Sequence, residues 1–286
     1  MGGGNWNSAS FTNYSMGIGR TVTNGAVMDS LSAQQMFKSR VIDPYLNPKN
    51  VIRECCDSDE HPNTLPVILA LDVTGSMGAS AVEVAKKLNI IMTELYESVS
   101  DVQFMIMGIG DLYCDNYPIQ ATQFESDIRI AEQLDKIFFE GGGGGNGYES
   151  YTAAWYFGIT HTKLDCWKRG KKGIIITIGD EPLNPYLPRE ALARVTGDNI
   201  EGHIDTSDLY ESVAGRFNIY HLSVDTYTGQ RYEPHIKSSF GRYMDDNHLR
   251  FVTLDSIASE IVQIIKNEYE KDCNVKTNVN SNMISW

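Results

Sequence analysis

Residues 67–76 read VILALDVTGS, an apolar run that turns polar at Asp72. A continuous apolar run of this kind, bounded by Pro66 and Asp72, predicts a strand that is buried on both faces. Apolar residues then recur at helical spacing over Ala79–Leu95, which predicts a helix directly after the strand. A strand buried on both faces, joined at once to an amphipathic helix, is typical of a parallel α/β protein.

The same alternation of apolar runs and helical patterns continues to about residue 270. Further strands are predicted at 102–109, 119–124, 173–178, 218–224 and 251–254, with 119–124 as an antiparallel edge strand. Further helices are predicted at 126–138, from 149 or 150, and at 189–195, 206–216 and 256–269. The pattern therefore predicts an α/β fold with a doubly wound, mostly parallel sheet and helices on both faces.

Three regions follow from this organisation. Residues 1–64 lack a sustained pattern and are predicted to form an irregular arm, with only a weak amphipathic helix near 30–39. Residues 65–270 form the α/β domain, and residues 271–286 are predicted to be a polar tail.

The composition is that of an acidic globular protein, with 42% hydrophobic and 21% charged residues and a formal net charge of −13. Such a surface repels polyanions, which argues against nucleic acid and anionic membranes as partners. No apolar run approaches the ~18 residues of a membrane span, and no signal-peptide pattern opens the sequence. The cysteines are scattered and odd in number, without a Cys-x-x-Cys motif, which indicates reduced thiols. We therefore expect a cytoplasmic protein.

Oxygen-bearing side chains follow the predicted strands at three places. Asp72, Thr74 and Ser76 follow the first strand, Asp180 follows the strand at 173–178, and a glycine-rich segment leads to Glu149. In a parallel sheet, ligands bind beyond the carboxyl ends of the strands, so these three loops are expected to meet. Carboxylates and hydroxyls, without Cys or His, suit Mg²⁺ or Mn²⁺ rather than Zn²⁺.

This arrangement resembles the von Willebrand factor A domain. That family has a metal-ion-dependent adhesion site, built from Asp-x-Ser-x-Ser, a Thr from a second loop and an Asp from a third. Asp72-x-Thr74-x-Ser76 is similar to the first motif, and Asp180 at the end of 174–180 matches the third, although Gly179 precedes it here. The resemblance covers about residues 65–269 and is closest to the intracellular type found in bacteria and phages. It implies that Thr74 and Ser76 bind the cation directly, and that Asp72 and Asp180 bind it directly or through water.

The second loop departs from the family pattern. It reads Asn146-Gly147-Tyr148-Glu149-Ser150-Tyr151, with no Thr before the helix. Glu149 lies nearest the position of the family's Thr, while Ser150 and Asn146 are the alternatives. Glu149 could instead be an acid that complements the positive end of the following helix. Tyr148, Tyr151 and Asn146 are expected at the rim, where they would contribute specificity.

The resemblance implies a protein–protein interaction module rather than an enzyme. Its cation would be Mg²⁺, or else Mn²⁺ or Ca²⁺, and one coordination position would be open to an oxygen from the partner. Family members inside cells work in multiprotein assemblies or with ring ATPases, so a MoxR-type AAA ATPase is a possible partner. The expected metal ligands are Asp72, Thr74, Ser76, Glu149 and Asp180.

Two enzymatic readings fit the residues less well. A phosphatase of the haloacid-dehalogenase type also opens with an Asp after a strand, but it needs a second acid two residues later, where this chain has Thr74. The glycine run at 141–145 lacks the Lys of a phosphate-binding loop and follows a predicted helix rather than a strand. The phosphatase remains the alternative, and no residue is predicted to be catalytic.

Overall fold

A six-stranded sheet forms the centre of the fold in the computed structural model, which describes residues 3–99, 101–142 and 147–281. Its strands are β1 (Leu65–Asp72), β2 (Val102–Ile109), β3 (Ile119–Ala121), β4 (Gly173–Gly179), β5 (Phe217–Val224) and β6 (Leu249–Val252). The strand order is β6-β5-β4-β1-β2-β3, and only β3 runs antiparallel to its neighbour. The predicted doubly wound sheet with one antiparallel edge strand is therefore confirmed.

The described helices cover both faces of this sheet. They are α1 (Ser8–Gly17), α2 (Ala33–Met36), α3 (Gly78–Tyr96), α4 (Arg129–Leu134), α5 (Thr152–Thr160), α6 (Arg189–Thr196), α7 (Thr206–Ala214), α8 (Tyr227–Phe240) and α9 (Ile257–Ser281). Side chains of β1 alternate between two cores: Val67 and Leu69 pack with α3 and α9, whereas Ile68 packs with α5. Burial on both faces is why the run at 67–71 carries no polar residue.

The strand order reverses at β1, which pairs with β2 on one side and with β4 on the other. The connections that leave β1 and β4 consequently diverge and open a crevice at the carboxyl edge of the sheet. Asp72 is the last residue of β1 and Asp180 is the first residue after β4. The topology thus brings together two carboxylates that are far apart in the sequence.

The N-terminal segment is more regular than predicted. It contains α1, α2 and a short antiparallel pair of strands, Val22–Thr23 with Ala26–Val27. Phe11 and Phe37 are buried in the core on the α3 side, and the indole of Trp6 donates a hydrogen bond to Asn89 at 2.9 Å. These aromatic anchors bind the segment to the main domain, although its low hydrophobic periodicity concealed them in the sequence.

In the main domain, two helices differ from the prediction. α8 was not predicted, because its sequence is polar and contains Pro234. α9 continues to Ser281, through residues predicted to belong to a polar tail, because neither Gly nor Pro interrupts 257–281. No helix in the described ranges is both long enough and apolar enough to cross a membrane.

Candidate metal centre

The first loop is organised around the carboxylate of Asp72, which is fully buried. The backbone N–H and the hydroxyl of Thr74 both donate to Asp72 Oδ1, at 2.9 and 2.5 Å. Tyr151 donates its phenol proton to Asp72 Oδ2 at 2.9 Å. These bonds fix the turn by which β1 passes through a single 3₁₀ turn, Gly75–Met77, into α3.

The third loop places Asp180 beside the first. Ser76 donates to Asp180 Oδ1 at 3.0 Å, which connects the loop after β1 to the loop after β4. The other oxygen, Asp180 Oδ2, accepts a hydrogen bond of 2.5 Å from Thr226. Four of the predicted ligands, Asp72, Thr74, Ser76 and Asp180, are thus held by hydrogen bonds on two adjoining loops.

Sequence reasoning missed Thr226. This residue is the N-cap of α8, where its hydroxyl also accepts from the backbone N–H of Gly229 at 2.9 Å. The feature of the sequence that could have identified it is a Thr just after β5, the strand next to β4. This feature points to the site only when the strand order and α8 are known.

The second loop brings Glu149 into the same region. Glu149 is only 1% exposed and forms a bridge with Leu183, beyond β4. Its Oε2 atom has no hydrogen-bond partner among the described residues. The hydroxyl of Ser150 instead accepts from the backbone N–H of Leu112 at 3.1 Å, and Asn146 lies outside the described residues. Of the two described candidates in this loop, Glu149 is therefore the one with a side-chain oxygen that makes no hydrogen bond to the described residues.

Burial raises the pKa values of these acids, and for three of them the charge of a neighbouring acid adds to the effect. Burial, and secondarily the charge of Asp180, raises the pKa of Asp72 to about 7. Burial followed by the charge of Asp72 raises the pKa of Glu149 well above its usual range. Burial also raises the pKa of Asp180, and burial together with Asp180 raises that of Glu181 to about 7. The cluster is unfavourable when ionised unless positive charge is supplied.

No basic side chain in the described part of the chain supplies that charge. None of the ion pairs there includes Asp72, Glu149, Asp180 or Glu181. Nor do three or more His, Cys, Asp or Glu side chains of the described residues converge as a metal-binding group. A cation held here would accordingly depend on hydroxyl oxygens together with carboxylates, which is the donor set that the sequence indicates.

Gly179 explains a departure from the family pattern. A Cβ atom at this position would lie 1.9 Å from the phenol oxygen of Tyr151, which is closer than any side chain allows. Tyr151 is fully buried beneath the loops, so the prediction that it lines the rim is wrong. Tyr148, by contrast, is 42% exposed. The glycine makes room for the phenol that donates to Asp72.

No protein-family model matches the chain, and no curated protein matches it at a significant level. Among solved structures, the pilus adhesin SpaC from Lactobacillus rhamnosus GG in its open conformation has 13% identity and a TM-score of 0.48. That match covers 77% of this chain and 31% of the adhesin, so the chain spans about a third of the adhesin's length.

Two smaller structures match over nearly their whole length. The vWF domain of the type V pili tip protein Mfa5 from Porphyromonas gingivalis has 10% identity and a TM-score of 0.43, covering 78% of this chain and 97% of that one. An aerotolerance-related membrane protein from Bacteroides fragilis has 15% identity and a TM-score of 0.41, covering 72% and 99%. These similarities are too distant to bear on function.

Proposed function

We propose that this protein is an interaction module of the von Willebrand factor A type, which binds a partner through a divalent cation at a MIDAS-like site. The observation that carries the proposal is the cluster of buried carboxylates at the edge of the sheet. They have no basic partner in the described ranges, and Glu149 Oε2 has no hydrogen-bond donor there. A divalent cation would neutralise these charges and use that oxygen.

The ligands we propose are Asp72, Thr74, Ser76, Glu149 and Asp180. The hydroxyls of Thr74 and Ser76 donate to the two aspartates and retain lone pairs that can bind a cation. Thr226 would keep Asp180 in place from its other oxygen. An all-oxygen set of this kind suits Mg²⁺, Mn²⁺ or Ca²⁺, and the bound cation would supply a coordination position for a partner's carboxylate.

We further propose that the site binds without turnover. Thr74 occupies the place where a phosphatase of the alternative type needs an acid, and its hydroxyl donates to Asp72. A phosphoryl acceptor at Asp72 would lack a proton donor for the leaving group. A cytoplasmic protein partner, with a MoxR-type AAA ATPase as the candidate, rests on the family resemblance alone.

Metal titration tests this proposal. Protein stripped with EDTA should bind one equivalent of Mg²⁺ or Mn²⁺ in isothermal titration calorimetry, and Thr74→Ala with Ser76→Ala should abolish the binding. Thr253→Ala with Ser256→Ala is the matched control, because this hydroxyl pair also follows a strand of the sheet, β6, and its side chains bond only within their own turn. Unchanged affinity in the first double variant would refute the site.

A further inference from the structure

A cavity of about 420 Å³ adjoins the candidate metal centre. It lies between the second loop, the segment that follows Glu181 and helix α8, and three tyrosines, Tyr148, Tyr232 and Tyr243, form much of its wall. None of the described residues that line it is acidic, whereas His235 and Arg242 are basic or can become so. The protein as a whole has a net charge of −13, so this cavity differs from the rest of the molecule in lacking negative charge.

Arg242 is available to a ligand. It is exposed, and it forms no ion pair or hydrogen bond with the residues that the structure describes. The nearby Lys237 differs, because it pairs with Glu233 on the same helix. A guanidinium that faces an aromatic cavity binds carboxylates well, since it offers two parallel N–H donors to the two oxygens.

Helix α8 connects the cavity to the metal centre. A Cβ atom on Gly229, in its first turn, would lie 3.4 Å from the Cβ of Asp180, so the helix begins beside the proposed ligands. At a rise of ~1.5 Å per residue, α8 ends at Phe240 about 17 Å farther along its axis, and Arg242 follows in the turn just beyond, at roughly 20 Å. An extended chain spans ~3.3 Å per residue, so about six residues bridge that distance, and fewer do once side chains reach inward.

We infer that the partner is an acidic peptide segment held at two points, one carboxylate on the cation and a second one at Arg242 in the tyrosine-lined cavity. This inference rests on the proposed function and adds the class of partner and its spacing. The cation would recognise the first acid, and the cavity would select partners with a second acid at the right distance. Two linked contacts raise affinity together, because the second is made within the complex formed by the first.

A peptide series tests the inference. The probes are acetylated, amidated peptides with Asp and Glu separated by about two to six Gly/Ser residues, the range set by ~3.3 Å per residue. Each is compared with its Glu→Gln counterpart by NMR titration in saturating Mg²⁺. At least one spacing should bind about threefold to tenfold more tightly than its counterpart, as for one additional charged hydrogen-bond pair.

Two variants locate the second contact. Arg242→Gln should remove the preference for the diacidic peptide. Lys237→Gln, which removes the same charge from the last turn of α8, outside the cavity lining, should retain it. The inference is overturned if no spacing shows a preference, if Arg242→Gln keeps it, or if it persists in EDTA. Calorimetric Mg²⁺ titration of the same samples separates the two proposals. Failure to bind Mg²⁺ refutes the proposed function itself, whereas normal Mg²⁺ binding without the preference refutes only the two-point contact.

Discussion

Asp180 is held on both of its oxygens, by Ser76 on one and by Thr226 on the other. Such double anchoring limits rotation of the carboxylate, so its position is set before any ligand arrives. Hydrogen-bond partners of this kind tune metal ligands without themselves contacting the metal. Thr226 is therefore a positioning residue in the proposed site.

Thr226→Val tests this role. The variant should lower Mg²⁺ affinity about tenfold or more, as is typical for the loss of a hydrogen bond to a ligand. It should also lower the free energy of unfolding by about 1 kcal/mol, because the hydroxyl caps α8. Thr226→Ser keeps the hydroxyl and should restore both quantities. Calorimetry and urea unfolding measure them, and unchanged Mg²⁺ affinity in the valine variant would exclude the positioning role.

Glu149→Gln separates two roles for this buried acid. A ligand that lacks basic neighbours destabilises the metal-free protein when ionised, so the variant should raise the melting temperature in EDTA at pH 8 and weaken Mg²⁺ binding. At pH 5, closer to the ordinary pKa of Glu, the difference in melting temperature should be much smaller, because the raised pKa of Glu149 favours its protonated form.

The alternative predicts the opposite change. If Glu149 served only to complement the positive end of α5, Glu149→Gln would lower the melting temperature at pH 8 and leave Mg²⁺ affinity intact. Glu190→Gln, in the exposed first turn of α6, is the control for that effect. Thermal unfolding in EDTA at the two pH values distinguishes the two roles.

At the residue scale, sequence order decided what could be predicted. Asp72, Thr74 and Ser76 are close in sequence after one strand, and Asp180 follows an equally clear strand, so their proximity in the fold could be predicted. Thr226 and the burial of Tyr151 depend instead on which strands and helices become neighbours. No local pattern encodes that.

At the scale of elements, the end of β4 packs against Tyr151, the residue that precedes α5, and leaves no room for a side chain at Gly179. Gly179→Ala would force Cβ into the phenol of Tyr151, so it should lower the free energy of unfolding by about 1–3 kcal/mol or more, the range for overpacked cores. Gly215→Ala is the matched control: a Cβ there meets no atom within 4 Å, and it should change stability little. Chemical denaturation measures both, and a neutral Gly179→Ala would show that the phenol moves freely.

The elements that were predicted well are those with the strongest apolar pattern. β1, β2 and β4 were placed within two residues of their observed ends, because strands buried on both faces must be uniformly apolar. Helix α8 is polar overall and contains Pro234, so tertiary contacts of Ile236 and Phe240, rather than local preference, hold it in place. This unpredicted helix is the one that Thr226 caps and that lines the cavity.

At the scale of the whole molecule, acidic charge links stability to pH. Folding keeps protons on Asp72 and Glu181 up to about pH 7, whereas the unfolded chain releases them near pH 4. The stability that these groups contribute to the metal-free protein is thus complete below about pH 4 and is lost as the pH rises through 7. Cations bind the deprotonated carboxylates, so binding is favoured over the same range.

The gain in melting temperature on adding Mg²⁺ should therefore increase from pH 5 to pH 8. Buried His221, whose pKa is lowered to about 3, destabilises the fold on acidification below about pH 6.5, but equally with and without Mg²⁺. Differential scanning fluorimetry with Mg²⁺ and with EDTA at each pH gives the difference directly. A gain independent of pH would argue against coordination by these carboxylates.

The proposed ligands come from three segments between residues 72 and 180. Two of these segments follow the paired parallel strands β1 and β4, and their support extends to Thr226. Pairing of parallel strands brings together residues that are far apart in the sequence, so these contacts form slowly and late in folding. A cation that needs all three segments can bind only after the sheet has assembled, so it would do little to accelerate folding. It would instead slow unfolding, because the ion must either dissociate first or stay bound while the sheet opens in the transition state. A bound cation would then lengthen the lifetime of the native state. The rate at which the ion dissociates would determine how fast the protein becomes susceptible to proteolysis.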